Sequence, residues 1–209
     1  MLDSHTRDES RILARGINVT KRENDTSCAT GESEDAGRRG LIIVNTGEGK
    51  GKTTAALGLM FRAWGWEWRI CMIQFIKSAK GRWGERRAAR RLGIEWHCLG
   101  TGFTWTSKDP QKSMALAGET WELAKQKIAS CEYDLVILDE ITHLLKLGWL
   151  DTHEVVSWLG ANRPAQLHLV LTGRDAPEEL VQLADLVTDM TNVKHPFEDG
   201  IKAQKGIEF

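Results

Sequence analysis

Apolar residues fall along this chain in short unbroken runs, set apart by longer stretches of mixed spacing. The runs stand at 41–44 (LIIV), 69–75 (RICMIQF), 94–99 (IEWHCL), 135–138 (LVIL) and 167–171 (LHLVL). LIIV, continuous rather than alternating, predicts a strand buried on both faces, and the other four read as further strands. Between them, 53–64, 85–92, 110 to about 130, 151–159 and 177–184 carry helical spacing. Asp109 followed by Pro110 is a helix start, since proline fits the first turn. Asp151 and Glu154 stand in capping-box relation at another. Strands alternating with helices predict an α/β fold, a mostly parallel sheet with helices on both faces.

Composition divides the chain in two. Residues 1–38 are rich in charge, Ser, Thr and Gly and poor in large apolar side chains, which predicts a flexible arm with a short helix around 10–14. Residues 39–209 form the folded domain. Lys plus Arg (28) nearly balance Asp plus Glu (29), a net charge of -1 that gives no overall attraction for nucleic acid. No stretch suits a membrane span, and the opening MLDSHTRDESR is charged where a secretory signal needs an apolar run. A cytoplasmic protein is expected. Cys28, Cys71, Cys98 and Cys131 lie far apart with no C-x-x-C pair, so reduced thiols are expected and a zinc site is not.

The turn after the first strand carries the chemistry. "VNTGEGKGKTTAALG" at 44–58 is an altered phosphate-binding loop. Counting back from Gly51, Lys52 and Thr53, Thr46 stands where the usual G-x-x-x-x-G-K-[ST] pattern has its first glycine, and an extra lysine, Lys50, sits between Gly49 and Gly51. Glycines here, Gly47 among them, let backbone N–H groups converge on phosphate oxygens, helped by the positive end of the following helix. Lys52 supplies a point charge, the Thr53 hydroxyl suits Mg²⁺, and Thr54 follows in the first turn. Asp139 and Glu140 close a buried strand, at the sheet edge where a metal held by the phosphates can be reached. These features predict a nucleoside triphosphate and Mg²⁺ but do not fix the reaction. An ATPase or kinase acting at the γ-phosphate remains open, as does a nucleotide-dependent binding module.

Two further stretches are ambiguous in the same sense. Residues 77–91 (KSAKGRWGERRAARR) hold two Lys, five Arg and one Glu, either a solvated helix face or a rim for something anionic. In "GTGFTWTS", Phe103 and Trp105 stand at alternate positions. They either tuck the loop onto the core or form an apolar wedge against a flat ligand.

Taken together, "TGEGKGKTTAALG", "IQFIK", "GTGFTW", "LDEITH", "LTGR" and "VKHPFEDGIKAQKGIEF" resemble the P-loop-type ATP:corrinoid adenosyltransferases. The similarity runs from about Arg39 to Phe209, while the arm matches poorly. The resemblance implies a P-loop NTPase-like (RecA-like) fold and transfer of the 5′-deoxyadenosyl group of ATP to the Co(I) of a corrinoid, with triphosphate released. Family roles carried over make Thr46, Gly47, Gly49, Lys50, Gly51, Lys52, Thr53, Thr54 and Arg62 contacts of ATP. Thr53 and Glu140 become ligands of Mg²⁺ or Mn²⁺, and Phe103 and Trp105 lie against the corrin and exclude its axial ligand. Lys52, Phe103 and Trp105 would be the catalytic set. The family further implies a cytoplasmic homodimer in cobalamin biosynthesis or salvage, supplied with electrons by a reduced flavoprotein, with no nucleic-acid or membrane partner. Glu48 stands where the family often has asparagine, and its carboxylate is expected to point away from the phosphates.

Overall fold

The computed structural model describes residues 39–78, 81, 83–100, 102 and 110–208. The expected arm at 1–38 with its short helix, Asp109, and the aromatic pair Phe103 and Trp105 lie outside the described residues.

Each apolar run becomes a strand: β1 (Ile42–Thr46), β2 (Ile70–Ser78), β3 (Glu95–Gly100), β4 (Leu135–Asp139) and β5 (His168–Thr172). A sixth, β6 (Leu186–Asp189), was not expected from the pattern. All four of its residues are exposed, so no buried run marks it; it pairs with β1 at the edge of the sheet. The strand order is β3-β2-β4-β5-β1-β6, and every pairing is parallel. The connecting helices are α1 (Lys52–Gly65), α2 (Gly84–Leu92), α3 (Pro110–Ala129), α4 (Ile141–Lys146), α5 (Thr152–Asn162) and α6 (Glu178–Leu183). The short α4 is the helix that the spacing did not predict. At α5 the capping relation takes shape, with Glu154 N–H donating to Asp151 Oδ1 at 2.8 Å.

Side chains alternate across each strand, so a continuous apolar run feeds two cores. On one face, Ile70 and Met72 of β2 meet Ala56, Met60 and Ala63 of α1 and Ala89 of α2. On the other, Cys71, Ile73 and Phe75 meet Trp121, Ala124 and Ile128 of α3, with Leu144, Leu159 and Leu180 from α4, α5 and α6. Helices therefore cover both faces, and the chain has the expected α/β, RecA-like architecture. In a parallel sheet every strand ends at the same edge, which gathers the loops after β1, β4 and β5 into one place. Strand β5 lies between β1 and β4, so the loop after it lies beside both the phosphate loop and the Asp139–Glu140 pair.

At β3 a compact polar network ties the sheet to α3. Glu95 Oε1 lies 2.6 Å from His97 Nε2 and 2.7 Å from Lys127 Nζ, and Tyr133 donates its hydroxyl proton to Glu95 Oε2. Burial pushes the Glu95 carboxyl up, but the donors from Lys127, Tyr133 and His97 outweigh it and hold the group down to about 2. Cys71 lies close by, but the Lys127 ammonium already fills the cation position against Glu95. A carboxyl depressed in the fold stabilises it above the unfolded value of 4.5, and that contribution is lost as pH falls toward 2. Glu95→Gln is therefore expected to cost about 1 kcal/mol at pH 7, because solvent screens a carboxylate this exposed. Its gap to the parent should close between pH 4.5 and 2 in denaturant titrations; a gap independent of pH would contradict the pairing.

Cys71 and Cys98 are buried free thiols, and burial pushes Cys71 up to about 12. Among the described residues no helix is long and apolar enough to cross a membrane.

Candidate active site

The turn from β1 into α1 is shaped by what lies behind it. The chain leaving β6 runs so close that a Cβ on Gly47 would fall 2.1 Å from Asp189 Oδ1, and one on Gly49 would fall 2.4 Å from the Thr191 carbonyl oxygen. Gly47 also has φ of +95°, a backbone state that favours glycine. These two positions thus accept no side chain without moving the edge strand. Thr46, in the place of the usual first glycine, accepts a hydrogen bond from Ala176 N–H at 3.0 Å and so anchors the loop after β5 to the end of β1.

Lys52 opens α1 and folds back over the turn, donating to the carbonyls of Gly47 and Gly49 at 2.6 Å each. Burial pulls its pKa down, as does the nearby Arg174; Glu48, Glu140 and Asp189 oppose them. Its positive charge is thus held largely by neutral oxygens. An anion arriving in the turn would be a better partner.

One residue along, the Thr53 hydroxyl donates to Asp139 Oδ1 at 2.8 Å. Asp139 is fully buried and accepts two more bonds, from Thr172 Oγ1 at 2.7 Å and from Gln74 Nε2 at 2.9 Å. Three donors satisfy this carboxylate. Glu140 contrasts with it. Its φ is +67°, held in part by its N–H donating to Thr172 Oγ1 at 2.9 Å. Its Oε2 is buried without a hydrogen-bond partner among the described residues. Burial pushes the Glu140 carboxyl up to about 7, with Asp139 adding to the rise and Lys77 and Lys52 opposing it.

The turn, Glu140 and the loop after β5 open into a groove of about 960 Å³. Gly49, Lys50, Gly51, Lys52, Thr53 and Thr54 line it. Gly47 and Thr46 support the turn from beneath. Arg62 is not brought here: it is exposed in the last turn of α1, about 15 Å along the helix from Lys52 at 1.5 Å per residue. It does not line this groove. From 77–91, Lys77 turns into the groove and pairs with Glu85 at 2.9 Å, while Arg87, Arg90 and Arg91 remain on the solvated face. Two arginine and histidine groups join that the spacing did not single out for a role, Arg174 and His143. Burial, then Arg174 and Lys52, hold His143 below its usual value.

A phosphate-type turn, a satisfied aspartate and an unsatisfied glutamate describe many nucleotide sites. What separates them is the rest of the chain. The model of the family described as "ATP:corrinoid adenosyltransferase BtuR/CobO/CobP" matches residues 38–209. The chain belongs to this family. It is 44% identical to a corrinoid adenosyltransferase of Sinorhizobium sp. over 173 residues, covering 82% of this chain and 81% of that one. Against the corrinoid adenosyltransferases of Pseudomonas aeruginosa and Escherichia coli K12 the figures are 43% and 42%, again over 82% of this chain and over 84% and 86% of theirs. Among solved structures, the flagellar accessory protein FlaH from Methanocaldococcus jannaschii aligns with a TM-score of 0.52 over 73% of this chain and 71% of that one. At 11% identity this likeness shows the fold alone. As a corrinoid adenosyltransferase the chain is a transferase that passes an adenosyl group to a corrinoid.

In this adenosyltransferase, the donors at the groove fit a hard divalent cation. Glu140 offers a carboxylate oxygen with no other partner, and the Thr53 hydroxyl is oriented by Asp139; oxygen ligands of this kind suit Mg²⁺. Gln74 and Thr172 escaped the sequence reading because neither residue type advertises a role. Their signal is positional: Gln74 stands in register with Asp139 on the neighbouring β2, and Thr172 ends β5 on its other side.

Proposed function

We propose that the groove binds ATP with its polyphosphate in the altered turn and its 5′ carbon open to the cobalt of a corrinoid. The observation that carries this is the cluster of cations, Lys50, Lys52 and Arg174, around the turn in a chain of the corrinoid adenosyltransferase family. The lone pair of Co(I) attacks the 5′ carbon and forms the Co–C bond. The C5′–O bond breaks, its electrons leave on triphosphate, and cobalt becomes formally Co(III). The nucleophile is the metal of the substrate, so no protein base is required. The protein's task is to stabilise charge growing on the leaving group. Lys50, Lys52 and the N–H groups at the start of α1 do this from fixed positions. Thr53 and Glu140 would hold Mg²⁺ or Mn²⁺, which supplies further positive charge to polyphosphate oxygens.

By family resemblance, Phe103 and Trp105 press against the lower face of the corrin. An apolar wall there excludes the axial donor and water, which eases reduction of Co(II) and protects Co(I). Trp105→Ala is accordingly expected to slow the reaction from Co(II) plus reductant about tenfold more than the reaction from pre-reduced Co(I). Equal losses would mean general packing. A reduced flavoprotein as electron donor, a homodimer and a cytoplasmic role in cobalamin biosynthesis or salvage complete the reading.

The test is to mix protein, ATP, Mg²⁺ and chemically reduced corrinoid, then follow Co–C bond formation by absorbance and the phosphate products by chromatography. One triphosphate per adenosylcorrinoid supports the proposal. ADP and inorganic phosphate, formed without need of corrinoid, would assign the groove to an ATPase or kinase acting at the γ-phosphate.

A further inference from the structure

Residues 192–208 cross one wall of the groove, and their sequence motif has no part in the mechanism above. Nearly all of the segment is exposed, including Phe197 at 77% and Ile207 at 75%. Its hydrogen bonds are mostly internal: Glu198 N–H to the His195 carbonyl at 3.0 Å, Ile201 N–H to that of Pro196 at 3.0 Å, Glu208 N–H to that of Gln204 at 2.9 Å. Among the described residues, its polar tie to the rest of the chain is one ion pair, Glu208 Oε2 to Lys50 Nζ at 2.5 Å. The partner is the extra lysine of the phosphate turn. In the same turn, Glu48 lines the groove rather than pointing clear of it, and its Oε2 meets Arg174 Nη1 at 2.9 Å. Both carboxylates and both cations line the groove. Two cations facing the polyphosphate position are thus already neutralised by carboxylates of the chain itself.

A phosphate oxygen and a carboxylate cannot both sit against the same ammonium group without strong like-charge repulsion between them. We propose that Glu208 and Glu48 are stand-ins for phosphate, which compete with polyphosphate for Lys50 and Arg174 and so set how tightly it is held. Glu208 acts through Lys50, and Glu48 through Arg174; both are positioning residues. The segment 192–208 is held by so little else that Glu208 can leave Lys50 without disturbing a core. Competition of this kind matters most for the released polyphosphate, which has lost its bond to the nucleoside and must depart before the next turnover. The inference rests on the proposed binding of polyphosphate in the turn and adds what opposes that binding.

The experiment is titration of the full chain with inorganic triphosphate and Mg²⁺ by calorimetry, at fixed low ionic strength. Glu208→Gln is expected to bind triphosphate about three- to tenfold more tightly than the parent, and Glu48→Gln to gain a similar factor. In a Lys50→Ala background the gain from Glu208→Gln should vanish, whereas a merely structural effect of Glu208 would persist there. Steady-state assays should show triphosphate becoming a stronger inhibitor of Glu208→Gln by the same factor. Unchanged or weaker triphosphate binding in both single variants would overturn the inference, as would a gain that survives loss of Lys50. A parent protein that binds no triphosphate would instead remove the underlying reading of the turn, so the two failures are distinguishable.

Discussion

Lys52→Ala is expected to lower kcat/KM for ATP by about a thousandfold, a loss of the size seen when a preorganised charge opposite a developing anion is removed. The same variant should melt within a few degrees of the parent. Lys52 is only half-buried and bonds to two carbonyls at the rim of an open groove, where water can replace it. Its charge is disfavoured by burial and by Arg174 in the nucleotide-free chain, so the fold gains little from it and the ligand gains much. The measurement is steady-state kinetics beside thermal unfolding. Normal activity would refute the role, and a large loss of melting temperature would make the lysine structural.

Glu140→Gln is the second large effect, and it acts in opposite directions on activity and stability. Losing the anionic oxygen should reduce activity about a hundredfold at saturating Mg²⁺ and raise the Mg²⁺ concentration needed for half-maximal rate. In metal-free protein the variant should be the more stable of the two. The parent buries a carboxyl raised to about 7 from an unfolded value of 4.5. Between those values the folded state binds more protons than the unfolded, so stability falls as pH rises through the window. The glutamine does not titrate. Its advantage should therefore grow from pH 4.5 to 7 and reach on the order of 2 kcal/mol above it. Denaturant titrations in a chelator at several pH values measure this. A variant less stable than the parent at pH 8 would mean that Glu140 already has a partner in the fold, and the metal assignment would go with it. The strained φ of +67° at this residue fits a position kept for function at some expense of stability.

Much of this architecture was legible because a parallel sheet buried on both sides forces unbroken apolar runs. LIIV, LVIL and LHLVL leave little choice, and the glycine turn after the first of them can only face the edge where ligands bind. The exposed β6 escaped for the converse reason. Its placement comes from backbone pairing to β1, and Leu186 and Val187 pay no tribute to a core. Lys52, Thr53 and Glu140 drew notice in the sequence because each residue type offers one obvious partner to a phosphate or a metal, and the fold gathers all three at the groove. Arg62 entered by resemblance alone, and ten residues of α1 place it away from the turn. Gln74, Thr172 and Glu208 were invisible for another reason. They act by meeting Asp139 and Lys50 across long separations, 65, 33 and 158 residues respectively, and no local pattern encodes such a meeting.

The central claim is that the bond broken lies between the 5′ carbon and its oxygen, with the altered turn holding what departs. ATP carrying ¹⁸O at the 5′ bridging position tests it directly in the presence of Mg²⁺ and reduced corrinoid. All of the label should leave in triphosphate, in step with adenosylcorrinoid. Label retained on a nucleoside or nucleotide product, with cleavage between phosphorus and oxygen, would contradict the account.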